Sequence, residues 1–188
     1  MEAPKTSSDN SEGTGASSDH RLDSAVERLV EEWASVLPSL DRDVRAIAAR
    51  IARIDDRLRA CTAGVLKEAG LADSEFRLLA GLLRSGPPYR RSPSDLAPRF
   101  VPVTSGGLTG IANRLEKRGL VARMLHPTDQ RSVLIELTTA GKTLALATME
   151  EFAAVEQTLL GGVSQTDRTK INAFLKKMLH AIEAKLGS

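Results

Sequence analysis

The sequence predicts a mainly α fold with one small β-hairpin set between long helices. Three observations predict it. Apolar residues recur at helical spacing through most of the chain from Leu22 onward. The period changes from 3.6 to 2 only between Leu120 and Leu137. Aromatic residues make up only 3% of the chain, so the core is aliphatic, as suits packed helices.

Taken in order, residues 1–19 are rich in Ser, Gly, Asp and Glu and nearly free of large apolar side chains, which predicts a disordered tail. Leu22–Leu37 is the first predicted helix, with Leu22, Val26, Leu29, Val30, Trp33 and Leu37 on one face and Pro38 as its stop. Trp33 reads as a packing anchor, or as one wall of a ligand pocket. A second helix spans Asp41 to about Glu68, with Val44, Ile47, Ala48, Ile51, Ile54, Leu58, Cys61 and Val65 near heptad spacing. On that stripe Cys61 reads as a small core residue rather than a redox sensor. A third helix follows, with Asp73 as N-cap candidate and Phe76, Leu79, Ala80 and Leu83 as its buried stripe.

Gly86-Pro87-Pro88 breaks the chain. Ser92-Pro93-Ser94-Asp95 starts a short helix with Ser at N-cap, Pro at N1 and an acid at N3. The next helix, Thr104–Arg118, is the one that matters most. Leu108, Ile111, Ala112 and Leu115 form one apolar face, and Ser105, Thr109 and Asn113 the opposite one, with Gly106 and Gly110 beside them. An outer face that is polar, small and uncharged permits close approach to another molecule. Two short helices joined by a tight turn give a helix-turn-helix. Leu120–His126 and Ser132–Leu137 then read as two strands around a polar tip, Pro127–Arg131, which makes the unit a winged helix. At that tip Asp129 can hold the Arg131 guanidinium extended, as a surface ion pair or as a finger for a narrow minor groove. Thr138 caps a long helix to about Leu160. Ser164-Gln165-Thr166-Asp167 has the form of a capping box and opens a final helix with Ile171, Phe174, Leu175, Met178, Ile182 and Leu186 on one face.

The predicted organisation is therefore a tail (1–19), N-terminal dimerisation helices (20–72), a winged helix-turn-helix (73–138) and C-terminal dimerisation helices (139–188). Terminal stripes larger than one small domain can cover argue for a homodimer, which also suits a reader of two half-sites one helical turn apart. The formal charge is only +2, but nine Lys/Arg face three acids between Arg84 and Arg131. A basic centre between acidic flanks is the footprint of a nucleic-acid face.

Other classes find little support. The three histidines are scattered, one cysteine permits no intrachain disulfide, and neither nucleophile elbow nor phosphate loop is present. No catalytic site, metal or cofactor is expected. Without a signal or an 18-residue apolar run, a soluble cytoplasmic protein with no membrane partner is the expectation.

These residues resemble the multiple-antibiotic-resistance regulator (MarR) family over roughly Asp41 to Leu186. The resemblance rests on Thr104-Ser105-Gly106-Gly107-Leu108-Thr109, on Asn113-Arg114-Leu115-Glu116-Lys117-Arg118-Gly119-Leu120-Val121, and on Asp129-Gln130-Arg131-Ser132 leading into Leu137-Thr138. It implies a bacterial homodimeric transcription factor. The Thr104–Arg118 helix would enter the major groove of a near-palindromic operator and Arg131 the minor groove. It also implies that a small anionic or aromatic ligand releases the DNA, most often relieving repression. On the residues, Ser92, Thr104 and Ser105 are expected on phosphates, and Ser105, Thr109 and Asn113 at base edges, with Gly106 allowing close approach. Arg114 reaches backbone or base.

One branch of the family carries an extra N-terminal helix with a Trp and responds to urate, and Leu22–Leu37 with Trp33 resembles that helix. That branch uses an Asp after the Glu-Phe pair, where Arg77 stands here, and an Arg in the recognition helix, where Gly110 or Ile111 stands. These departures from the branch's pattern speak against urate and lead us to expect a different anion against Arg77 and Arg123, with Trp33 kept from the branch's pocket. Two further readings stand beside this one: a thiol-redox regulator working through Cys61, and a winged helix used only for protein contacts.

Overall fold

The computed structural model describes residues 16–96, 104–125 and 133–187; for 16–24 and 105 the description is of the backbone alone. The elements are α1 (Ala16–Val36), α2 (Arg42–Glu68), α3 (Asp73–Arg84), β1 (Arg90–Arg91), α4 (Pro93–Leu96), α5 (Ser105–Lys117), β2 (Val121–Leu125), β3 (Val133–Leu137), α6 (Thr139–Leu159) and α7 (Gln165–Leu186). The mainly helical architecture with a small antiparallel sheet is the one expected. The chain divides into two compact units, Met1–Arg57 and Leu58–Ser188.

In the first unit, α1 begins at Ala16 rather than Leu22. Val26 and Val30 are its buried residues, whereas Trp33 is half exposed and so no core anchor within one chain. Asp41 caps α2 by accepting the Val44 N–H at 3.0 Å. The predicted stripe of α2 lies open: Val44, Ile47, Ile51 and Ile54 are all exposed.

The second unit holds the core. α2 ends in a Schellman turn, with Gly70 at φ +62° and the Leu71 N–H on the Leu66 carbonyl at 2.9 Å. Cys61 is exposed, which corrects its expected place in the core; the buried position on this stretch is Thr62, whose hydroxyl donates to the Leu58 carbonyl at 2.9 Å. The reason is shared with the exposed part of the α2 stripe: periodicity selects a face, and nothing among the described residues covers it.

Helix α3 is the hub. Leu78, Leu79 and Leu82 are fully buried, and it packs on α5, α6 and β3. Phe76 stacks on Phe152 of α6 with ring centroids 4.8 Å apart. Its N-cap is Ala72, not Asp73, and the Ala72 N–H is satisfied by Glu75 at 3.1 Å. The sheet has order β1-β3-β2, with Arg90 opposite Glu136 and Val121 opposite Leu137. Strand β1 was not expected: two residues leave no periodic signal, and only the antiparallel edge of β3 defines them.

Around the sheet the remaining caps follow the sequence. Thr138 accepts the Gly141 N–H at 3.0 Å and donates to the Gly119 carbonyl at 2.7 Å. Ser164 accepts the Asp167 N–H at 3.1 Å and donates to its carboxylate at 2.7 Å. Helix α7 has no buried residue along its length.

Candidate nucleic-acid interface

The site is built from α4, α5 and the β2–β3 hairpin. Ser92 caps α4 as its sequence demands: its hydroxyl donates to Asp95 at 2.7 Å and accepts the Asp95 N–H at 3.3 Å. Leu96 then drives α4 into the core beside α5.

Helix α5 opens at Thr104, whose side chain accepts the Gly107 N–H at 3.2 Å. No acid stands in its first turn, so the positive end of the helix dipole is left for an incoming anion such as a phosphate. Leu108, Ile111, Ala112 and Leu115 are all buried, as their spacing predicts. Thr104, Gly106, Thr109, Asn113 and Arg114 are exposed together on the other side. The helix closes in a Schellman turn, with Gly119 at φ +69° and the Leu120 N–H on the Leu115 carbonyl at 3.0 Å. Leu115 and Leu120, the pair such a turn brings together, are both buried.

Two groups of contacts fix the outer face. Arg114 donates through Nε to Glu75 Oε1 at 3.0 Å, and Arg118 donates to Glu75 Oε2 at 3.3 Å. Glu75 is buried, so one carboxylate caps α3 and holds both arginines at the far end of α5. Arg123, on β2, donates to Asn113 Oδ1 and pairs with Glu116 at 3.6 Å. Arg123 also lines a cavity of about 200 Å³ with Pro93, Thr109 and Ile135 among its walls.

Of the other expected residues, Ser105 has its backbone at the first turn of α5, and Asp129 and Arg131 lie outside the described residues. Arg77 pairs with Asp73 at 2.6 Å one turn back on α3 and is not part of the lining that includes Arg123. Trp33 belongs to the other unit.

A family model described as MarR family matches residues 69–132, the stretch from the end of α2 through α5 to the hairpin. The HTH-type transcriptional regulator PecS of Dickeya dadantii (strain 3937) is 30% identical over 153 residues, spanning 81% of this chain and 92% of that protein. The chain belongs to the MarR family.

Among solved structures, NadR in complex with 4-hydroxyphenylacetate aligns over 70% of this chain and 91% of its own, with TM-score 0.58 and 26% identity. BpsR of Bordetella bronchiseptica, whose DNA binding is regulated by 6-hydroxynicotinic acid, aligns over the same shares at TM-score 0.58 and 27% identity. The chain is thus a transcriptional regulator of the MarR type, with a winged helix for DNA. The feature of this MarR site that sequence reasoning missed is Glu75. It stands 39 and 43 residues from its two arginines, a separation no periodic pattern reports. The one signal available was its place three residues after Ala72, where a carboxylate reaches back to a helix start.

Proposed function

We propose that this chain is a repressor that binds a near-palindromic operator as a homodimer and is released by a small anionic, aromatic ligand. The observation that carries the reading is α5. Its apolar stripe is fully buried, and its outward face offers only small or hydrogen-bonding residues, which suits a helix seated in a major groove. The wing residues Asp129 and Arg131 supply the minor-groove contact, and Ser92, Thr104 and Ser105 the phosphate contacts. The homodimer is supported by the exposed apolar stripes of α2 and α7, which need a cover in water.

The ligand class is supported by the relatives. NadR is seen with 4-hydroxyphenylacetate and BpsR responds to 6-hydroxynicotinic acid, both single-ring aromatic acids. Arg123, which lines the cavity beside α5, is the cation we assign to such an acid. To act as an inducer the ligand must bind the DNA-free form more tightly than the DNA-bound form.

The test is selection of sites from a random duplex pool by the purified protein at near-physiological salt. Enrichment of an inverted repeat with half-site centres one helical turn apart is expected. A folded protein that enriches no motif overturns the reading in favour of a protein-contact module.

The exposed thiol of Cys61 supports a second reading, a redox-responsive regulator. It requires that oxidant release the operator from the native protein and leave the Cys61→Ser variant bound. Equal release from both removes it.

A further inference from the structure

The outward face of α5 is bare along its centre. A helix turns once in about 3.6 residues, so Gly106, Gly110, Asn113 and Lys117, at i, i+4, i+7 and i+11, run in one line along it. That line lies opposite Leu108, Ile111, Ala112 and Leu115, which are buried. At Gly106 and Gly110 the helix therefore presents backbone alone where a side chain would project farthest.

The fold asks for neither glycine. Neither has the left-handed backbone that Gly70 and Gly119 adopt. Among the described residues, a Cβ at Gly106 would meet no heavy atom within 4 Å, and one at Gly110 would meet only Arg114 Nη1 at 3.7 Å, an ordinary contact. Alanine would moreover favour the helix, because glycine is the poorest residue after proline in a helix interior. Gly110 stands in that interior and Gly106 in the first turn.

The neighbours of the line point the same way. The arginines around it are drawn aside, Arg114 and Arg118 to Glu75 on α3, and Arg123 to Asn113 and Glu116. Thr109 and Asn113, the exposed hydrogen-bonding side chains in the middle of the face, are short. Short side chains reach base edges only from a helix that lies deep in the groove, and depth is limited by whatever projects from the outer line. We infer that Gly106 and Gly110 are positioning residues for DNA: their missing side chains set the depth at which α5 enters the major groove and bring Thr109 and Asn113 within reach of base edges. The inference rests on the proposed reading of α5 as the helix that meets base edges.

The test compares three full-length proteins, the native chain, Gly106→Ala and Gly110→Ala, on the operator obtained by site selection and on an unrelated duplex of equal length. Thermal unfolding of each is followed by circular dichroism. Gly110→Ala is expected to melt roughly 2–4 °C above the native protein, and Gly106→Ala no lower than it. Each variant is nevertheless expected to bind the operator roughly tenfold more weakly, the scale of one lost base-pair contact. Affinity for the unrelated duplex stays unchanged, because phosphate contacts carry that binding. A merely structural glycine would not combine equal or greater stability with a loss of specific binding. Variants that bind the operator as the native protein does, or that lose affinity for both duplexes alike, overturn the depth-setting role and leave the operator reading intact. A variant that melts below the native protein overturns it too, by showing that the fold needs the glycine. A native protein that enriches no motif overturns both.

Discussion

Helices α5 and α7 each carry a stripe of large apolar residues at helical spacing, and the fold treats them in opposite ways. On α5 the stripe is at most 4% exposed. On α7, Ile171, Leu175 and Ile182 are nearly half exposed and Phe174 is 71% exposed. The difference lies in the neighbours. Helix α5 sits against α3, α4 and β2, while α7 follows a Gly161-Gly162 break and finds no cover among the described residues. One stripe makes a core; the other stays a surface among the described residues.

The sharpest way to break that contrast is in the core. Leu79→Ala removes a fully buried side chain from the hub helix and is expected to cost about 2–5 kcal/mol, read from urea unfolding. A loss well under 1 kcal/mol would mean that the α3 core is far looser than its burial indicates.

Next in size is Glu75→Ala. It leaves the Ala72 N–H and two arginines without their shared acceptor, at a cost of about 1–3 kcal/mol. Glu75→Gln keeps one acceptor and costs less. Operator affinity is expected to fall further than stability alone explains, because Arg114 and Arg118 hold the far end of α5. Equal affinities for native and variant proteins would confine Glu75 to a structural role.

The smallest expected effect on the single chain is that of Phe174→Ser, within about 0.5 kcal/mol, as for other exposed positions. Its effect is expected in self-association instead, as a shift toward monomer in sedimentation velocity. A variant that unfolds while native protein runs as a monomer would show that α7 is covered by its own chain.

The same contrast explains how much could be read in advance. The two faces of α5, its cap at Thr104 and its Gly119 stop all follow from spacing and residue type, since they depend on neighbours within a turn or two. The capping serines Ser92 and Ser164 are legible for the same reason. Strand β1, the Glu75 clamp and the grip of Arg123 on Asn113 are not, because each joins separate elements and none repeats. The exposure of Cys61 and Trp33 was misjudged for a third reason. A stripe shows which side of a helix seeks burial, but which molecule supplies the cover is outside the pattern.

One corner of the structure has a mechanical consequence. Where the turn after α5 meets the first turn of α6, Gly141 lies so close to the Leu120 carbonyl that an added Cβ would stand 1.9 Å from its oxygen. Thr138 binds the same spot twice more, its N–H on the Leu120 carbonyl at 3.2 Å and its hydroxyl on that of Gly119. Gly141 thus meets the Leu120 backbone directly, and Thr138 ties the same turn once through its N–H and once through its hydroxyl. Any side chain at position 141 therefore has to push the Leu120 backbone away and strain both Thr138 bonds.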